Sequence, residues 1–281
     1  MKRHMLFLGF GFSAKALARR LDRAEWTVSG TSRSADGITD IEACEVHGIV
    51  FDTLSNIPEG VTHIVSSIPP VESGDPVINK LATEFARRAK QFHWVGYLST
   101  TGVYGDHGGG WVDETTALTP NTERGHRRLA AEQQWLALHR DHGLPLHIFR
   151  LAGIYGPGRN TLANLKDGTA RRVIKPGQVF SRIHVDDIAG VLLASIARPN
   201  PGAAYNVADD EPCPPQDVVA YGAELLGMAR PPEFPFKEAE LSPMARSFFA
   251  DSKRVSNSRI KGELGYNLIH PTYREGLKAL L

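Results

Sequence analysis

Three small residues near the N-terminus have the types and spacing to hold a phosphate group. Gly9, Gly11 and Ala14 form a Gly-x-Gly-x-x-Ala string that follows the apolar residues 5–8 and opens a segment with helical spacing. The first glycine permits a tight turn, the second lets a pyrophosphate approach the backbone, and the alanine lets the helix pack against the strand. Free N–H groups at the start of the helix favour phosphates. The string therefore predicts a dinucleotide-binding turn made of Gly9, Phe10, Gly11, Phe12, Ser13 and Ala14.

The end of the next apolar run, residues 26–30, indicates which dinucleotide the turn prefers. An acidic residue there would bind the ribose hydroxyls of NAD, but the next acid along the chain is Asp36. Ser32 and Arg33 occupy this place instead, and a guanidinium forms paired hydrogen bonds to phosphate. We therefore expect NADP in preference to NAD. The alternative is that Arg33 is an ordinary solvated surface residue.

Short apolar runs alternate with helical patterns through the first half and recur as far as residue 207, and these elements must position the turn. The predicted strands cover residues 5–8, 26–30, 45–51, 62–66, 94–99, 146–151 and 204–207, and the predicted helices cover 13–23, 78–92, 127–139 and 188–197. This alternation predicts an α/β fold with a doubly wound parallel sheet, whose ligands bind outside the carboxyl ends of the strands. Asp186 and Asp187 precede the last of these helices, and we expect them to be its N-caps. The less regular second half predicts a smaller, mostly helical part beside the sheet.

Composition and charge exclude several classes of protein. The chain has 281 residues, a formal net charge of +1, and 42% hydrophobic residues. A charge so close to zero provides no electrostatic reason to expect nucleic acid or an anionic membrane as a partner. The longest apolar stretch, residues 188–197, is too short to span a bilayer. The two cysteines, Cys44 and Cys213, lack metal-ligand spacing, so we expect a cytoplasmic protein without a bound metal.

Several further segments resemble one enzyme family. They are Leu-Ser-Thr-Thr-Gly-Val-Tyr-Gly at 98–105, Arg-Leu-Ala-Gly-Ile-Tyr-Gly-Pro-Gly-Arg at 150–159, Ile-His-Val-Asp-Asp-Ile at 183–188 and Tyr-Asn-Val at 205–207. Together with the N-terminal turn, they make nearly the whole chain resemble the extended short-chain dehydrogenase/reductase superfamily, which includes the NAD-dependent epimerases and dehydratases of nucleotide sugars. The resemblance implies a Rossmann domain of residues 1–155 with about 180–208, and a substrate part of about 156–180 and 209–281. It also implies a small-molecule substrate, and a homodimer formed through the helix that bears Arg128.

The resemblance implies a role for individual residues as well. Asp52, beside Thr53, stands where the family contacts adenine, with a helix cap as the alternative. Thr100 stands where the family has its catalytic hydroxyl, with a cap of the strand end as the alternative. Pro69 and Pro70 depart from the family, which has small residues there. The implied cofactor contacts after the fourth strand are Ser66, Ser67, Ile68 and Pro69, and the implied substrate residues are Gly153, Arg159, Arg182 and His184, of which Arg159 and Arg182 could instead be solvated loop residues.

One departure from the family bears directly on catalysis. The family transfers a proton with Tyr-x-x-x-Lys, and alignment on residues 129–132 puts Arg124 at the tyrosine position and Arg128 at the lysine position. Arg128 can replace the lysine charge and bind the cofactor ribose. Arg124 cannot replace the tyrosine, because a guanidinium titrates above ~12 and accepts no proton near neutrality. Either Tyr104 or His126 supplies the proton, or the arginines hold an anionic substrate electrostatically.

Two functions of different classes follow from this pattern. The first is an atypical oxidoreductase or epimerase-like enzyme acting on a phosphate- or carboxylate-bearing substrate. Thr100 and the substrate-side segments favour it. The second is a non-catalytic NADP(H)-binding sensor whose ligand state controls a partner, and the missing tyrosine favours that one. We expect the enzyme.

Overall fold

The computed structural model describes residues 2–281, with only the backbone for Met244. The strands are β1 Arg3–Leu8, β2 Trp26–Ser32, β3 His47–Val50, β4 His63–Ser66, β5 Trp94–Thr100, β6 Trp111–Val112, β7 Leu146–Leu151, β8 Gly153–Tyr155, β9 Arg172–Ile174, β10 Arg182–His184, β11 Ala204–Val207, β12 Glu233–Pro235 and β13 Arg254–Val255. The α-helices are α1 Phe12–Ala18, α2 Ala35–Glu42, α3 Pro76–Arg88, α4 Glu123–His142, α5 Thr161–Lys166, α6 Val185–Ala197, α7 Pro215–Leu225, α8 Pro243–Phe248, α9 Ser258–Gly262 and α10 Tyr273–Lys278.

Seven of these strands form one sheet, in the order β3-β2-β1-β4-β5-β7-β11. The pairings of β1 with β2 and with β4 are parallel, and Met5 lies opposite Val28 on one side and His63 on the other. The pairings of β2 with β3 and of β4 with β5 are parallel as well. The strand order reverses between β1 and β4, which is where a doubly wound sheet binds its ligand. The predicted fold class is confirmed.

The apolar residues of β1 are fully buried, because helices cover both faces of a parallel sheet. One core cluster includes Trp135 of α4, which packs against the rings of Phe85 at 5.0 Å and Tyr97 at 5.5 Å between centroids. The indole N–H of Trp135 donates to the Asp75 carboxylate at 3.1 Å. The same carboxylate accepts the N–H groups of the first turn of α3, so one buried acid both caps α3 and fixes α4.

The chain divides into two compact units. The first contains the residues up to Thr100, His126–Arg150 and Ile188–Tyr205, and the second contains Thr101–Gly125, Leu151–Asp187 and Asn206–Leu281. The second unit has the short parallel ladders β8–β10, β9–β12 and β6–β13 beside its helices. Among residues 2–281, no helix is both long enough and apolar enough to cross a membrane.

The observed elements differ from the predicted ones in a few places. Helix α2, capped by the Ser34 hydroxyl, was not predicted. Helix α1 ends at Ala18 rather than at residue 23, because the chain turns there towards β2. Helix α6 begins at Val185, so Asp186 and Asp187 lie inside its first turn and the N-cap expectation is wrong.

Candidate functional site

The glycine turn after β1 is held by hydrogen bonds from its neighbours in the first unit. The Gly9 N–H donates to the Thr31 hydroxyl at 2.8 Å, and the Ser67 hydroxyl donates to the Gly9 carbonyl at 2.9 Å. Gly9 has a φ of +89°, a conformation that favours glycine. A Cβ atom at Gly9 would lie only 2.9 Å from Cγ1 of Ile68. Both the backbone and the packing therefore require glycine here.

At Gly11, neither the backbone conformation nor the packing against other protein atoms requires glycine. It is the N-cap residue of α1, with φ −91° and ψ −160°, and no side chain caps this helix start. A Cβ atom at Gly11 would meet no protein atom within 4 Å. The first turn of α1 thus faces open space, as a pyrophosphate-binding turn requires.

The remaining residues of the turn pack inward. Ser13 and Ala14 are buried in α1, and Phe10 is 9% exposed. The Phe10 ring packs edge-on against Phe7 at 5.4 Å between centroids, and it lies so close to Gly30 that a Cβ there would come within 2.8 Å. Phe10 therefore anchors the turn to β2, whereas Phe12 is half-buried.

Arg33 follows β2 directly and is exposed. Within residues 2–281 its guanidinium has neither a hydrogen-bond partner nor an ion-pair partner. Next to it, the hydroxyl of the half-buried Ser32 accepts the N–H of Ser34 at 3.4 Å. The end of β2 thus presents a free cation beside hydroxyl groups.

Asp52 and Thr53 lie in a short 3-10 turn after β3, and both are exposed. The N-cap of this turn is Val50, so the helix-cap alternative for Asp52 is wrong. The Asp52 carbonyl accepts a hydrogen bond from Lys80 at 2.9 Å, and the Thr53 hydroxyl donates to the Val50 carbonyl at 3.0 Å. These contacts leave the Asp52 carboxylate on the surface.

The residues at the end of β4 have different environments. Ser66 is fully buried, and its hydroxyl has no hydrogen-bond partner among the described residues. Ser67 and Ile68 touch the glycine turn directly, whereas Pro69 is exposed. The structure thus brings Ser67 and Ile68 together with Gly9, and leaves Pro69 at the surface.

Arg128 on α4 points into the first unit. Its side chain donates to the Leu98 carbonyl of β5, and its guanidinium carbon lies 5.7 Å from the centre of the Tyr97 ring. Tyr97 is fully buried, and this burial raises the pKa of its hydroxyl well above the ordinary value. Thr100, the last residue of β5, is half-buried. Arg128 is thus fixed against the strand that ends in Thr100.

A buried ion pair supports this strand from α4. Glu132 and Arg150 form a salt bridge of 2.9 Å, with side chains only 1% and 6% exposed. The Ser99 hydroxyl donates to the same carboxylate. Ser99 belongs to β5, Glu132 to α4 and Arg150 to β7. The ion pair and the Ser99 hydrogen bond therefore hold these three elements together at the end of β5.

Two predicted catalytic residues belong to the second unit. Tyr104 is fully buried, and its hydroxyl donates to the side-chain oxygen of Asn206 at 2.8 Å. Arg124, near the start of α4, is exposed, and its guanidinium carbon lies 5.8 Å from the centre of the Phe248 ring. The Tyr104 environment favours a structural role, whereas that of Arg124 leaves its charge near the surface.

Three of the four predicted substrate residues share the β8–β10 ladder. Gly153 lies opposite Arg182, and His184 lies opposite Tyr155. Arg159 is exposed in the loop after β8, where its backbone pairs with that of Gly156. The structure therefore places Gly153, Arg182 and His184 together, with Arg159 in the adjoining loop.

The Arg182 guanidinium is engaged within its own unit. It donates to the carbonyl of Phe180 at 3.0 Å and to the Cys213 sulfur at 3.2 Å. Asp209 is 1% exposed, and burial raises its pKa to about 8 although Arg182 opposes the shift. Burial also raises the pKa of the Cys213 thiol to about 11. A carboxyl group that titrates near neutrality therefore lies beside Arg182.

Sequence reasoning missed several of these contributors. Thr31 stands next to Ser32 in the sequence, but its hydroxyl matters only because β2 lies beside β1. Glu132 and Arg150 carry no local pattern that marks them as a pair. Asp209 follows β11 as an apparently ordinary loop acid. Only the tertiary contacts reveal these roles.

The comparisons with known proteins agree with this architecture. The model of the NAD dependent epimerase/dehydratase family matches residues 77–208. Protein YeeZ of Escherichia coli strain K12 is 30% identical over 94% of this chain and 95% of its own length. A solved structure of a functionally unknown conserved protein from Silicibacter pomeroyi DSS is 55% identical, with a TM-score of 0.95 over 99% of this chain and 98% of that one.

A more distant structure shares the fold alone. The dTDP-glucose 4,6-dehydratase of Bacillus anthracis, solved in complex with NAD, is 16% identical with a TM-score of 0.76, over 100% of this chain and 95% of that chain. The sheet order, the glycine turn and these matches define one class of nucleotide-binding α/β protein. The chain belongs to the NAD-dependent epimerase/dehydratase family.

Proposed function

We propose that this chain is an NAD(P)-dependent oxidoreductase or epimerase-like enzyme with an altered proton-transfer site. The observation that carries the proposal is the open space in front of Gly11, at the uncapped start of α1. Gly9, Thr31 and Ser67 hold the backbone of this turn in place. The bound dinucleotide would accept or supply the hydride of the reaction. A cytoplasmic location and a homodimer built through α4 belong to the same proposal.

NADP is the preferred dinucleotide in this proposal. Arg33 supports the preference, because its charge is exposed and is not used within residues 2–281. A guanidinium in this place can bind a ribose phosphate through two hydrogen bonds. The hydroxyl of Ser32 can add a third contact.

The residues around the end of β5 would act on the substrate. Thr100 would donate a hydrogen bond to the substrate oxygen, and Arg128 would bind the nicotinamide ribose. Arg124, Arg159 and the β8–β10 ladder would hold a phosphate or carboxylate group of the substrate. Developing negative charge on the substrate oxygen is then stabilised electrostatically.

In this proposal, neither Tyr104 nor His126 supplies the proton. Tyr104 is fully buried, and its hydroxyl is bonded to Asn206. His126 lies two residues after Arg124 on α4, so the two side chains point about 160° apart around the helix axis. An electrostatic role for the arginines therefore remains the better account.

Titration with NADPH and NADH tests the cofactor assignment. We expect saturable binding of both dinucleotides, with NADPH bound more tightly. Arg33→Ala should weaken NADPH binding roughly tenfold or more, because one paired charge-assisted contact is lost. The same change should leave NADH binding unaltered. Arg20→Ala, at an exposed site after α1, is the matched control.

Two results of this titration would contradict the proposal, one for cofactor binding and one for the NADP preference. No saturable signal at millimolar cofactor would refute the binding proposal itself. Equal affinities for the two dinucleotides, or an unchanged preference in Arg33→Ala, would remove the argument for NADP.

A non-catalytic NADP(H) sensor is the second candidate. The observation that favours it is that no tyrosine occurs between Tyr104 and Tyr155, so α4 carries no phenol to exchange a proton. Absorbance assays of turnover with nucleotide sugars, aldehydes and ketones separate the two candidates. Oxidation or reduction of any of them supports the enzyme, whereas tight cofactor binding without turnover across the panel supports the sensor.

A further inference from the structure

Two histidines and an aspartate of the second unit converge at the junction of β10 and α6. His184 ends β10, Asp186 lies in the first turn of α6, and His270 comes from the segment before α10. One Asp186 oxygen lies 3.6 Å from Nδ1 of His184 and 3.9 Å from Nε2 of His270. Potential ligand atoms of all three residues lie within 4.8 Å of one another.

The surrounding structure holds these side chains in place. His184 is 2% exposed and His270 is 8% exposed. The Asp187 carboxylate accepts the backbone N–H of His270 at 3.0 Å and that of Ile269 at 2.6 Å. Asp187 therefore fixes the backbone that carries His270 against the first turn of α6. A site organised in this way needs little rearrangement to bind a ligand.

We propose that His184, Asp186 and His270 bind a divalent transition-metal ion, with Zn²⁺ as the best match. Two imidazoles and one carboxylate are a ligand set that Zn²⁺ accepts in proteins, with a fourth position left for water. Bonds of about 2.0 Å in a tetrahedron place the ligand atoms about 3.3 Å apart. The distances of 3.6 and 3.9 Å from Asp186 to the two histidines exceed that spacing by about 0.3 and 0.6 Å, and all three ligand atoms lie within 4.8 Å of one another, so binding an ion requires the side chains to close in on it.

The exposure of the three ligands suits the entry of an ion. The Asp186 side chain is 46% exposed, whereas those of the two histidines are 2% and 10% exposed. Asp186 thus opens the cluster to solvent, and water can complete the coordination from that side. His184 Nδ1 accepts the Asp186 N–H at 3.2 Å, a long contact that the ion would replace.

This proposal departs from the expectation of a metal-free protein. That expectation rested on cysteine spacing, and it could not include ligands as far apart in sequence as His184 and His270. The ion would tie the segment before α10 to the β10–α6 junction. Its predicted effect is on the stability of the second unit, so the proposal stands apart from the cofactor proposal.

Metal titration of the full-length, chelator-treated protein tests the site. We expect one equivalent of Zn²⁺ to bind in competition with a chromophoric chelator. Co²⁺ should give the visible absorption of a tetrahedral complex, and either metal should raise the melting temperature. Asp186→Asn and His270→Gln should each weaken binding by roughly 100-fold, because a direct ligand matters at least as much as an outer-shell partner. His142→Gln, at an exposed site at the end of α4, is the control.

Each outcome decides the proposal. The absence of saturable binding of Zn²⁺ or Co²⁺ by the folded wild-type protein overturns it. Unchanged affinity in both Asp186→Asn and His270→Gln also overturns it, since the ion would then bind elsewhere. If these variants fail to fold, paramagnetic Co²⁺ applied to the wild type still decides. Selective shifts of the His184 and His270 imidazole resonances support the site, and unshifted resonances refute it.

Discussion

Replacing Gly11 by valine separates cofactor binding from folding. The Gly11 backbone has φ −91° and ψ −160°, an extended conformation with negative φ that does not require glycine. A new Cβ would meet no protein atom within 4 Å, and the loss of a glycine N-cap costs at most about 1 kcal/mol. The fold should therefore tolerate the side chain, which would instead occupy the space proposed for the pyrophosphate.

The expected loss of binding follows from the hydrogen bonds that the pyrophosphate would make. A hydrogen bond to a charged group contributes about 1.5–3 kcal/mol. Moving the pyrophosphate away from the first turn of α1 removes at least one such bond. NADPH and NADH should therefore each bind roughly 10- to 100-fold more weakly to Gly11→Val.

Gly9→Ala is the matched comparison, and it should destabilise the fold more than Gly11→Val does. Its φ of +89° disfavours an L side chain, and its new Cβ would lie 2.9 Å from Cγ1 of Ile68 and 3.0 Å from the Ser67 hydroxyl. The left-handed conformation alone costs about 1–2 kcal/mol. We expect a clear fall in melting temperature for Gly9→Ala, and only a small one for Gly11→Val.

Fluorescence titration and thermal unfolding of the three proteins measure both effects. If Gly11→Val binds NADPH as tightly as the wild type while remaining folded, the pyrophosphate does not lie at this turn. The assignment of the cofactor site would then be refuted. If Gly11→Val unfolds as readily as Gly9→Ala, the inference from open space is wrong.

Three further predictions concern stability. Glu132→Gln should destabilise the protein by about 3–5 kcal/mol in denaturant titration, because Arg150 stays buried without its carboxylate; Asp141→Asn, at an exposed site, should have little effect. Burial raises the Asp209 pKa to about 8, so the folded state holds a proton that the unfolded state loses, and the contribution of Asp209 to stability should fall as pH rises from about 4 to about 8. Asp209→Asn should remove this dependence, and an unchanged slope would contradict the assignment. Burial lowers the pKa of His63 and of His147 to about 4, so the contribution of these two histidines to stability should fall as pH drops from about 6.5 to about 4, opposite in sign to that of Asp209, and His147→Gln should make thermal unfolding less sensitive to acid over that range.

The elements around the glycine turn could be predicted because their patterns are local. The apolar residues of β1, the small residues that follow and the helical spacing of α1 all lie within residues 3–18. Helix α2 was missed because Ile41 is its only buried residue, which leaves little apolar periodicity to detect. Residues 34–37 carry a cap instead, with the Ser34 hydroxyl accepting the Gly37 N–H at 3.2 Å.

The parts of the site that could not be predicted depend on contacts between distant segments. Glu132 and Arg150 form their ion pair because α4 packs against β7. No residue type in either segment predicts that pair. Likewise, the side chain of His270 approaches Asp186 only because Asp187 binds the preceding backbone. Family motifs mark where substrate and cofactor residues stand along the chain, but they do not show which polar groups support them.

The two arginines of α4 show how the altered motif could still support chemistry. Arg128 is buried and bonded to the Leu98 carbonyl, whereas Arg124 is exposed beside the Phe248 ring. A guanidinium side chain carries positive charge and has no acceptor atom, so in the proposed enzyme this part of α4 would supply positive charge rather than a proton. Such charge stabilises an oxyanion without protonating it. Substrates whose reduced or oxidised form is already a stabilised anion would therefore depend least on the missing tyrosine, and these are the substrates that the proposed enzyme is best suited to turn over.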